Sequence, residues 1–425
     1  MTLVSKTYWA GMPFWFRHAP EHAAVESLVL RAHDLRQLRA LCWTSTRHPP
    51  AKLGVVIMHP RVDFTHHYAI PRLVDAGMIV VAANTRHAGN DVFAEHEEMV
   101  LDVGACVRYL RERRAVDKVV LLGNCGGGSL MAFYQAQARL PAAERLQVTP
   151  AGNPTHFAGA PLVPADGVVY IAAHRGQGKV LEAAIDPSVV DEHDALATDP
   201  ELDLYDPRNG FREPPAPSHY EPGFLARYRA AQTERVRRLD AIARAHLAQI
   251  AGALAATRDP AFAQRPEPER RAVDRRRGHE PIMIVHRTMA NPAFVDPGID
   301  PSERDYGSLL SERPDLMNYA ALGLARMVTP RAWLSTWSGQ SSNADLVANV
   351  ARITEPSLLV HAARDREVFA SDVAAIAGAM ASPDKRTVTI PGARHYFEPE
   401  PGERTSPHVD ALMDVVVPWM QERFA

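Results

Sequence analysis

Cysteine is scarce in this 425-residue chain, which has only Cys42, Cys106 and Cys125. An odd, small number of widely spaced cysteines argues against a disulfide framework or a cysteine-rich zinc site and is typical of a reducing compartment. No apolar run approaches the ~18 residues needed to cross a bilayer. Residues 1–20 also lack the apolar segment of a signal peptide. We therefore expect a cytoplasmic protein without a membrane partner.

The chain also lacks an excess of charge of either sign. The 47 basic and 50 acidic side chains leave a formal net charge of −3. Such near-neutrality gives no reason to expect nucleic acid or an anionic membrane surface as a partner, while a homo-oligomer stays open. The length exceeds that of one compact domain and suits a core domain with an insertion, or two domains.

Short apolar, β-branched runs alternate with helical patterns in residues 25–176 and again in 346–425, after an N-terminal extension, 1–24. Strands buried on both faces and separated by helices predict an α/β fold with a mostly parallel central sheet flanked by helices. The predicted strands are 27–31, 38–44, 53–58, 78–83, 118–123, 167–172, 356–361 and 385–390. The predicted helices are 68–76, 97–113, 127–138, 373–380 and 409–422.

The strand–helix alternation stops between residues 177 and 345, which we predict to be an inserted, mainly helical cap. Its segments are predicted to be an irregular loop at 186–217, a long amphipathic helix at 224–256, a solvated charged surface at 258–280 and a short strand at 281–285. Residues 176–179 superficially resemble a phosphate loop, but their spacing is wrong and a turn is the better interpretation.

Cys125 stands in Gly123-Asn124-Cys125-Gly126-Gly127, where a predicted strand ends and a predicted helix begins. This is the spacing of a nucleophile elbow, a turn so tight that a Cβ two residues from the nucleophile would collide with neighbouring backbone. The helix N-terminus also favours a thiolate. The alternative, a phosphate-binding turn, lacks the spacing of a dinucleotide fingerprint or a P-loop. We therefore predict that Cys125 is a nucleophile.

Two residues downstream have the positions of catalytic partners. Asp365 follows a predicted strand and His395 follows the last one, so both lie at the sheet edge where Cys125 is expected. His395 would accept the thiol proton, or already be paired with the thiol as imidazolium and thiolate, and Asp365 would orient its ring. Glu367 and Asp372 compete with Asp365 but fall on or near the next helix.

The oxyanion of an acyl-transfer reaction needs hydrogen-bond donors. We expect the backbone N–H of Gly126 to be one. The other would come from the loop after the third strand, where Pro60 has no N–H to donate, which leaves Arg61 as the first choice and Val62 as the alternative.

Candidate substrate-binding side chains lie in the same loop and in the cap. They are His59, Asp63, His66, Trp337 and Asn343, and for the aromatic residues core packing is the competing interpretation. The histidines of the loop suggest a metal, but no third or fourth ligand has suitable spacing, so we predict neither a metal nor another cofactor.

The elbow at Cys125, the acid at Asp365 and the terminal His395 together resemble the α/β-hydrolase superfamily, over residues 25–175 and 345–425. Within it, the Cys-His-Asp set is similar to that of dienelactone hydrolases, which open enol-lactones with a cysteine, although this chain is far longer. The elbow also resembles that of polyhydroxyalkanoate synthases, which are cysteine acyltransferases.

We therefore expect a hydrolase that cleaves a small-molecule ester, lactone or thioester through an acyl-cysteine. An acyltransferase or cyclising enzyme with the same intermediate is the first alternative, and a non-catalytic binding protein on a hydrolase scaffold is the second.

Overall fold

The computed structural model describes residues 20–48, 52–400, 403 and 405–425. The segment 1–19, for which we expected no signal peptide, lies outside the described residues. Most of the predicted extension 1–24 is therefore not described, and the first strand already begins at Ala23. Among the described residues, no helix is both long enough and apolar enough to cross a membrane.

In the described part of the chain, eight strands form the central sheet, and four short strands form two separate ribbons. In chain order the strands are β1 (Ala23–Arg31), β2 (Gln37–Ser45), β3 (Leu53–His59), β4 (Ile79–Asn84), β5 (Lys118–Asn124), β6 (Gly167–Ile171), β7 (Val189–Asp191), β8 (Asp194–Thr198), β9 (Met283–Ile284), β10 (Met327–Val328), β11 (Ser357–Ala362) and β12 (Lys385–Ile390). The spatial order of the sheet is β1-β2-β4-β3-β5-β6-β11-β12. Within this sheet, as far as the structure describes it, the pairs β1–β2 and β2–β4 are antiparallel and the other five are parallel, so the predicted mostly parallel sheet is confirmed.

Helices connect these strands and cover both faces of the sheet. They are α1 (Ile70–Asp75), α2 (His96–Arg108), α3 (Gly126–Ala138), α4 (Gln177–Ala184), α5 (Pro222–Thr257), α6 (Glu267–Gly278), α7 (Pro314–Met317), α8 (Pro330–Ala332), α9 (Leu346–Val350), α10 (Ala370–Ala379) and α11 (Pro407–Phe424). Two π-helical segments, Tyr109–Arg113 and Trp333–Trp337, extend α2 and α8, and 3₁₀ turns lie at Asp91–Phe93, Ala142–Glu144, Pro207–Asn209, Phe262–Gln264 and Pro292–Phe294.

Successive side chains of the central strands pack into two different hydrophobic cores, one on each face of the sheet. In β5, Val120 and Leu122 belong to one hydrophobic core, while Val119 and Leu121 belong to the core on the opposite face. Successive side chains of a strand point to opposite faces, so a strand with helices on both sides must be apolar throughout.

The segment between β6 and β11 has a hydrophobic core of its own, built from α4, α5 and the aromatic residues around Trp333. It contacts the sheet domain at the start of α2, where the His96 N–H donates to Ser335 Oγ at 2.8 Å and Thr336 Oγ1 donates to the Ala94 carbonyl at 2.6 Å. The insertion therefore packs directly on an element that borders the carboxyl edge of the sheet.

Two local predictions in this region were wrong. The loop predicted at 186–217 contains the hairpin β7–β8, and 176–179 is the start of helix α4 rather than a simple turn. The charged stretch 258–280 is solvated, as predicted, and it contains helix α6, with Glu267 and Glu269 in its first turn and arginines in its last. Acids near the N-terminus and arginines near the C-terminus interact favourably with the helix dipole. This interaction stabilises a helix that buries no residue.

A buried ion pair supports the insertion. Arg287 Nη2 lies 2.7 Å from Asp186 Oδ2, and both side chains are fully buried. Asn318 and Ser188 complete the hydrogen bonds of this pair.

We predict that Arg287→Met lowers the free energy of unfolding by about 3–5 kcal/mol, because it leaves the Asp186 carboxylate buried without a counter-ion. Urea unfolding followed by tryptophan fluorescence measures the change. Arg258→Met, at an exposed arginine on the same insertion, is the matched control and should change the midpoint little. Equal midpoints for the two variants would contradict the prediction.

Candidate active site

Cys125 lies in the turn between β5 and α3, with φ 55° and ψ −128°. A Cβ on Gly123 would lie 2.5 Å from the Gly127 carbonyl oxygen, and one on Gly127 would lie 2.5 Å from the Met58 carbonyl oxygen. Only glycine therefore fits on either side, as an elbow requires. The strained backbone of Cys125 holds the thiol above the carboxyl edge of the sheet.

Hydrogen bonds of Asn124 hold this turn in place. Its Nδ2 donates to the Ile171 carbonyl at 2.8 Å, and its Oδ1 accepts from Tyr68 Oη and His67 Nε2, each at 3.1 Å. The Cys125 N–H also donates to Ile171, at 3.0 Å. The turn is thereby tied both to β6 and to the loop after β3.

Asp365 and His395 are brought together, as predicted from their places after β11 and β12. His395 Nδ1 lies 2.7 Å from Asp365 Oδ2, and both side chains are buried. The other carboxylate oxygen, Oδ1, accepts the N–H groups of Glu367 and Val368 at 2.8 and 3.0 Å. With Nδ1 bound to Asp365, His395 Nε2 has no nitrogen or oxygen partner among the described residues, and it interacts with the Cys125 thiol.

The electrostatics favour a thiolate–imidazolium pair. Burial alone would raise the pKa of Cys125, but the charge of His395 and hydrogen bonds from His174, His395 and His59 outweigh it and hold that pKa well below its usual range. Burial likewise opposes the charge of His395, yet Asp365 and Cys125 raise the pKa of His395 well above its usual range. Burial instead raises the pKa of Cys42 and Cys106, with no comparable pairing.

Glu367, the competing acid, has a different environment. Burial and the charge of Cys125 raise its pKa to about 7, so about half of it is neutral at physiological pH. Asp365, which holds the imidazole directly, is the better orienting group.

The N–H groups expected to complete the oxyanion hole are used elsewhere. Those of Arg61 and Val62 donate to His59 Nδ1, at 3.0 and 2.9 Å. The Arg61 side chain pairs with Asp91 and lies over the Trp337 ring at 4.5 Å. The assignment of Arg61 is therefore corrected: its N–H fixes the imidazole of His59 and does not point into the site.

His59 itself lies at the site. Its Nε2 would be 3.1 Å from a Cβ placed on Gly126, and it contributes to the lowered pKa of Cys125. Gly126 is the first residue of α3, so its own N–H has no acceptor within the helix. Both residues are thus next to the thiol.

The other predicted substrate-binding residues make structural contacts instead. Asp63 Oδ1 accepts from the N–H and hydroxyl of Thr65 at 2.8 and 2.6 Å, and His66 packs edge-on against Trp43. Trp337 is fully buried beneath Arg61, and Asn343 donates to Glu97 at 2.9 Å.

Two residues at the thiol were missed by the sequence reasoning. His174 and Gln177 lie after β6, and their Nε2 atoms approach Gly126 from the side opposite β3. Their position in the chain could have indicated them, because β6 ends three residues before His174, at the same edge of the sheet. Among the described residues, no group of three or more His, Cys, Asp or Glu side chains is arranged to hold a metal.

The sheet order, the elbow after β5 and the acid and histidine after β11 and β12 define the α/β-hydrolase fold. No family model and no curated protein matches the chain. Similar solved structures include the hypothetical protein PA2218 from Pseudomonas aeruginosa (13% identity, TM-score 0.48, 100% of this chain and 99% of that one). Others are the alpha/beta hydrolase GrgF from Penicillium sp. sh18 (11%, 0.46, 94% and 99%) and the esterase domain of a Rhodothermus marinus protein (10%, 0.44, 95% and 100%).

A free cysteine thiol has a pKa of about 8.5, and only its thiolate reacts with iodoacetamide. Because the pKa of Cys125 is lowered, we predict that iodoacetamide alkylates Cys125 rapidly at a pH well below about 8.5. Asp365→Asn should move the rate profile to higher pH, since the His395 charge then loses its partner. Peptide mass spectrometry across a pH series measures both effects.

Asp410→Asn, at an exposed aspartate paired with Arg72, is the matched control and should leave the profile unchanged. Equal rates for Cys125, Cys42 and Cys106 in folded protein would contradict the assignment of a reactive thiol.

Proposed function

We propose that this protein hydrolyses a carboxylic ester, lactone or thioester through an acyl-cysteine at Cys125. The observation that carries the proposal is the buried thiol in an elbow turn, paired with a histidine that hydrogen-bonds a buried carboxylate at 2.7 Å. An activated nucleophile, a base and an orienting acid are the parts that acyl-enzyme chemistry needs.

In the first half-reaction the Cys125 thiolate attacks the substrate carbonyl, forming a C–S bond and an oxyanion. Collapse of this intermediate breaks the ester or thioester bond, and the Nε2–H of His395 gives its proton to the departing alkoxide or thiolate. The products are an acyl-cysteine, a neutral imidazole and a free alcohol or thiol. In a lactone the leaving group stays joined to the acyl chain.

In the second half-reaction His395 Nε2 takes a proton from water as the water attacks the acyl-cysteine. Collapse then expels the thiolate and releases the carboxylic acid, which restores the thiolate–imidazolium pair. Asp365 stays ionised throughout and stabilises the imidazolium whenever it forms.

A cavity of about 370 Å³ lies between the insertion and the start of α10, and its lining residues do not include Cys125. Its walls include Arg175, next to His174 in the chain, and Glu367, together with the apolar Val180, Ile299 and Phe369, and most of the other lining side chains are charged or polar. Ligand pockets range from ~300 to 1,000 Å³. A medium-sized acyl group with both polar and apolar atoms suits the cavity.

We predict that Cys125→Ala lowers kcat/KM for 4-nitrophenyl butyrate by roughly 10³-fold or more, because no other group can carry the acyl chain. Steady-state release of 4-nitrophenol measures the loss, and intact-mass spectrometry of the wild type should detect a butyryl adduct on Cys125.

Cys42→Ala, at a buried cysteine of β2, is the matched control and should retain turnover. Undiminished turnover by folded Cys125→Ala would overturn the proposal. Product analysis with added alcohol, amine or thiol separates hydrolysis, which gives the free acid, from acyl transfer, which gives the new ester, amide or thioester.

A further inference from the structure

Three side-chain nitrogens converge on one point above Gly126, beside the thiol. A Cβ built on Gly126 would touch Gln177 Nε2 and would lie 3.1 and 3.3 Å from Nε2 of His59 and His174. A methyl group does not fit at that point unless Gln177 moves, so only glycine leaves these nitrogens in place. Both histidines also help to hold the pKa of Cys125 below its usual range.

The hydrogen bonds of His59 decide which of its nitrogens carries a proton. Nδ1 accepts two backbone N–H groups, from Arg61 and Val62, so it has no proton of its own. A neutral imidazole is protonated on one nitrogen, so the proton lies on Nε2 and makes it a donor. Burial lowers the pKa of His59, which keeps the ring neutral. Its buried Nε2 has no hydrogen-bond partner among the described residues.

His174 repeats this arrangement on the opposite side. Its Nδ1 accepts the Gly176 N–H at 3.1 Å, which again leaves Nε2 as the donor in the neutral ring. The bond is local, because Gly176 is only two residues after His174. Two fixed N–H donors, from the ends of β3 and β6, therefore lie around the point above Gly126.

These two N–H groups can supply the oxyanion donors that the backbone of the loop after β3 does not supply. Pro60 has no N–H, and those of Arg61 and Val62 are used by His59, so the loop after β3 offers no N–H from these positions. A tetrahedral intermediate is stabilised when preorganised donors surround the oxygen on which charge develops.

We propose that the Nε2–H groups of His59 and His174, together with the Gly126 N–H, form the oxyanion hole of the acyl-transfer site. In the resting enzyme the two imidazoles donate to the thiolate. As the C–S bond forms, the charge moves from sulfur to the carbonyl oxygen, and the same donors follow it. This inference rests on the proposed acyl-cysteine chemistry and assigns His59 and His174 as catalytic residues beside His395.

The test uses substitutions that separate the two nitrogens of each ring. In His174→Asn, Oδ1 can still accept the Gly176 N–H, but the Nε2 donor is lost. In His174→Gln, an amide N–H can return to that position. We expect His174→Asn to slow acylation by 4-nitrophenyl butyrate about 10²-fold and His174→Gln to recover part of the loss. His59→Asn and His59→Gln form the same pair, and the double Asn variant shows whether one donor replaces the other.

Alkylation of Cys125 by iodoacetamide distinguishes an oxyanion role from a merely structural one, because displacement of iodide develops no carbonyl oxyanion. At a pH where the thiol is fully ionised, alkylation of His174→Asn should match that of wild type while acylation stays slow. The alkylation profile should also move to higher pH, since the thiolate loses a hydrogen bond. His193→Asn, at an exposed histidine of the β7–β8 hairpin, is the control.

Each result has one meaning. If acylation by the double Asn variant equals that of wild type, the inference is wrong while the acyl-cysteine mechanism stands. If alkylation and acylation fall in parallel at high pH, the histidines only hold the thiol and the oxyanion role is overturned. Failure of the mechanism itself appears separately, as turnover by Cys125→Ala.

Discussion

The charge pair between Cys125 and His395 sets the conditions that the surrounding residues meet. Both side chains are buried, and isolated charges in such an environment are strongly disfavoured. The Asp365 carboxylate supports the imidazolium at 2.7 Å, and backbone N–H groups support the carboxylate in turn. On the other side of the pair, His59 lies beside the thiol, and burial lowers its pKa so that it adds no second positive charge. The pair is thus stabilised from both ends.

The strand pattern allowed most of the sheet to be predicted, because strands such as β3 and β5, buried on both faces, are apolar throughout. The segments that were not predicted are those whose structure depends on local charge or on tertiary contacts. Helix α6 has almost no apolar pattern, so only the placement of its acids and arginines could have indicated it. The hairpin β7–β8 is held from outside, where Glu192 between its strands pairs with Arg235 and Arg238 of α5.

In the site, residues that follow strands directly could be located from chain order, as Cys125, Asp365 and His395 were. Contacts that depend on loop conformation could not. Arg61 stands where an oxyanion donor was expected, but two N–H groups turn inward to His59, and no sequence pattern indicates that turn. His174 was not predicted, although β6 ends three residues before it, beside the elbow.

The glycines of the elbow are required for different reasons. Positions 123 and 127 face backbone atoms at 2.5 Å, so a larger residue there conflicts with the path of the chain itself. Gly126 is helical, and the nearest atoms to a Cβ there are all side-chain nitrogens. Gly123 and Gly127 are therefore required by the path of the backbone, whereas Gly126 is required by the side chains that surround it. An alanine at position 126 would push against the Gln177 amide and the two imidazoles and leave the backbone of the turn without a conflict of its own.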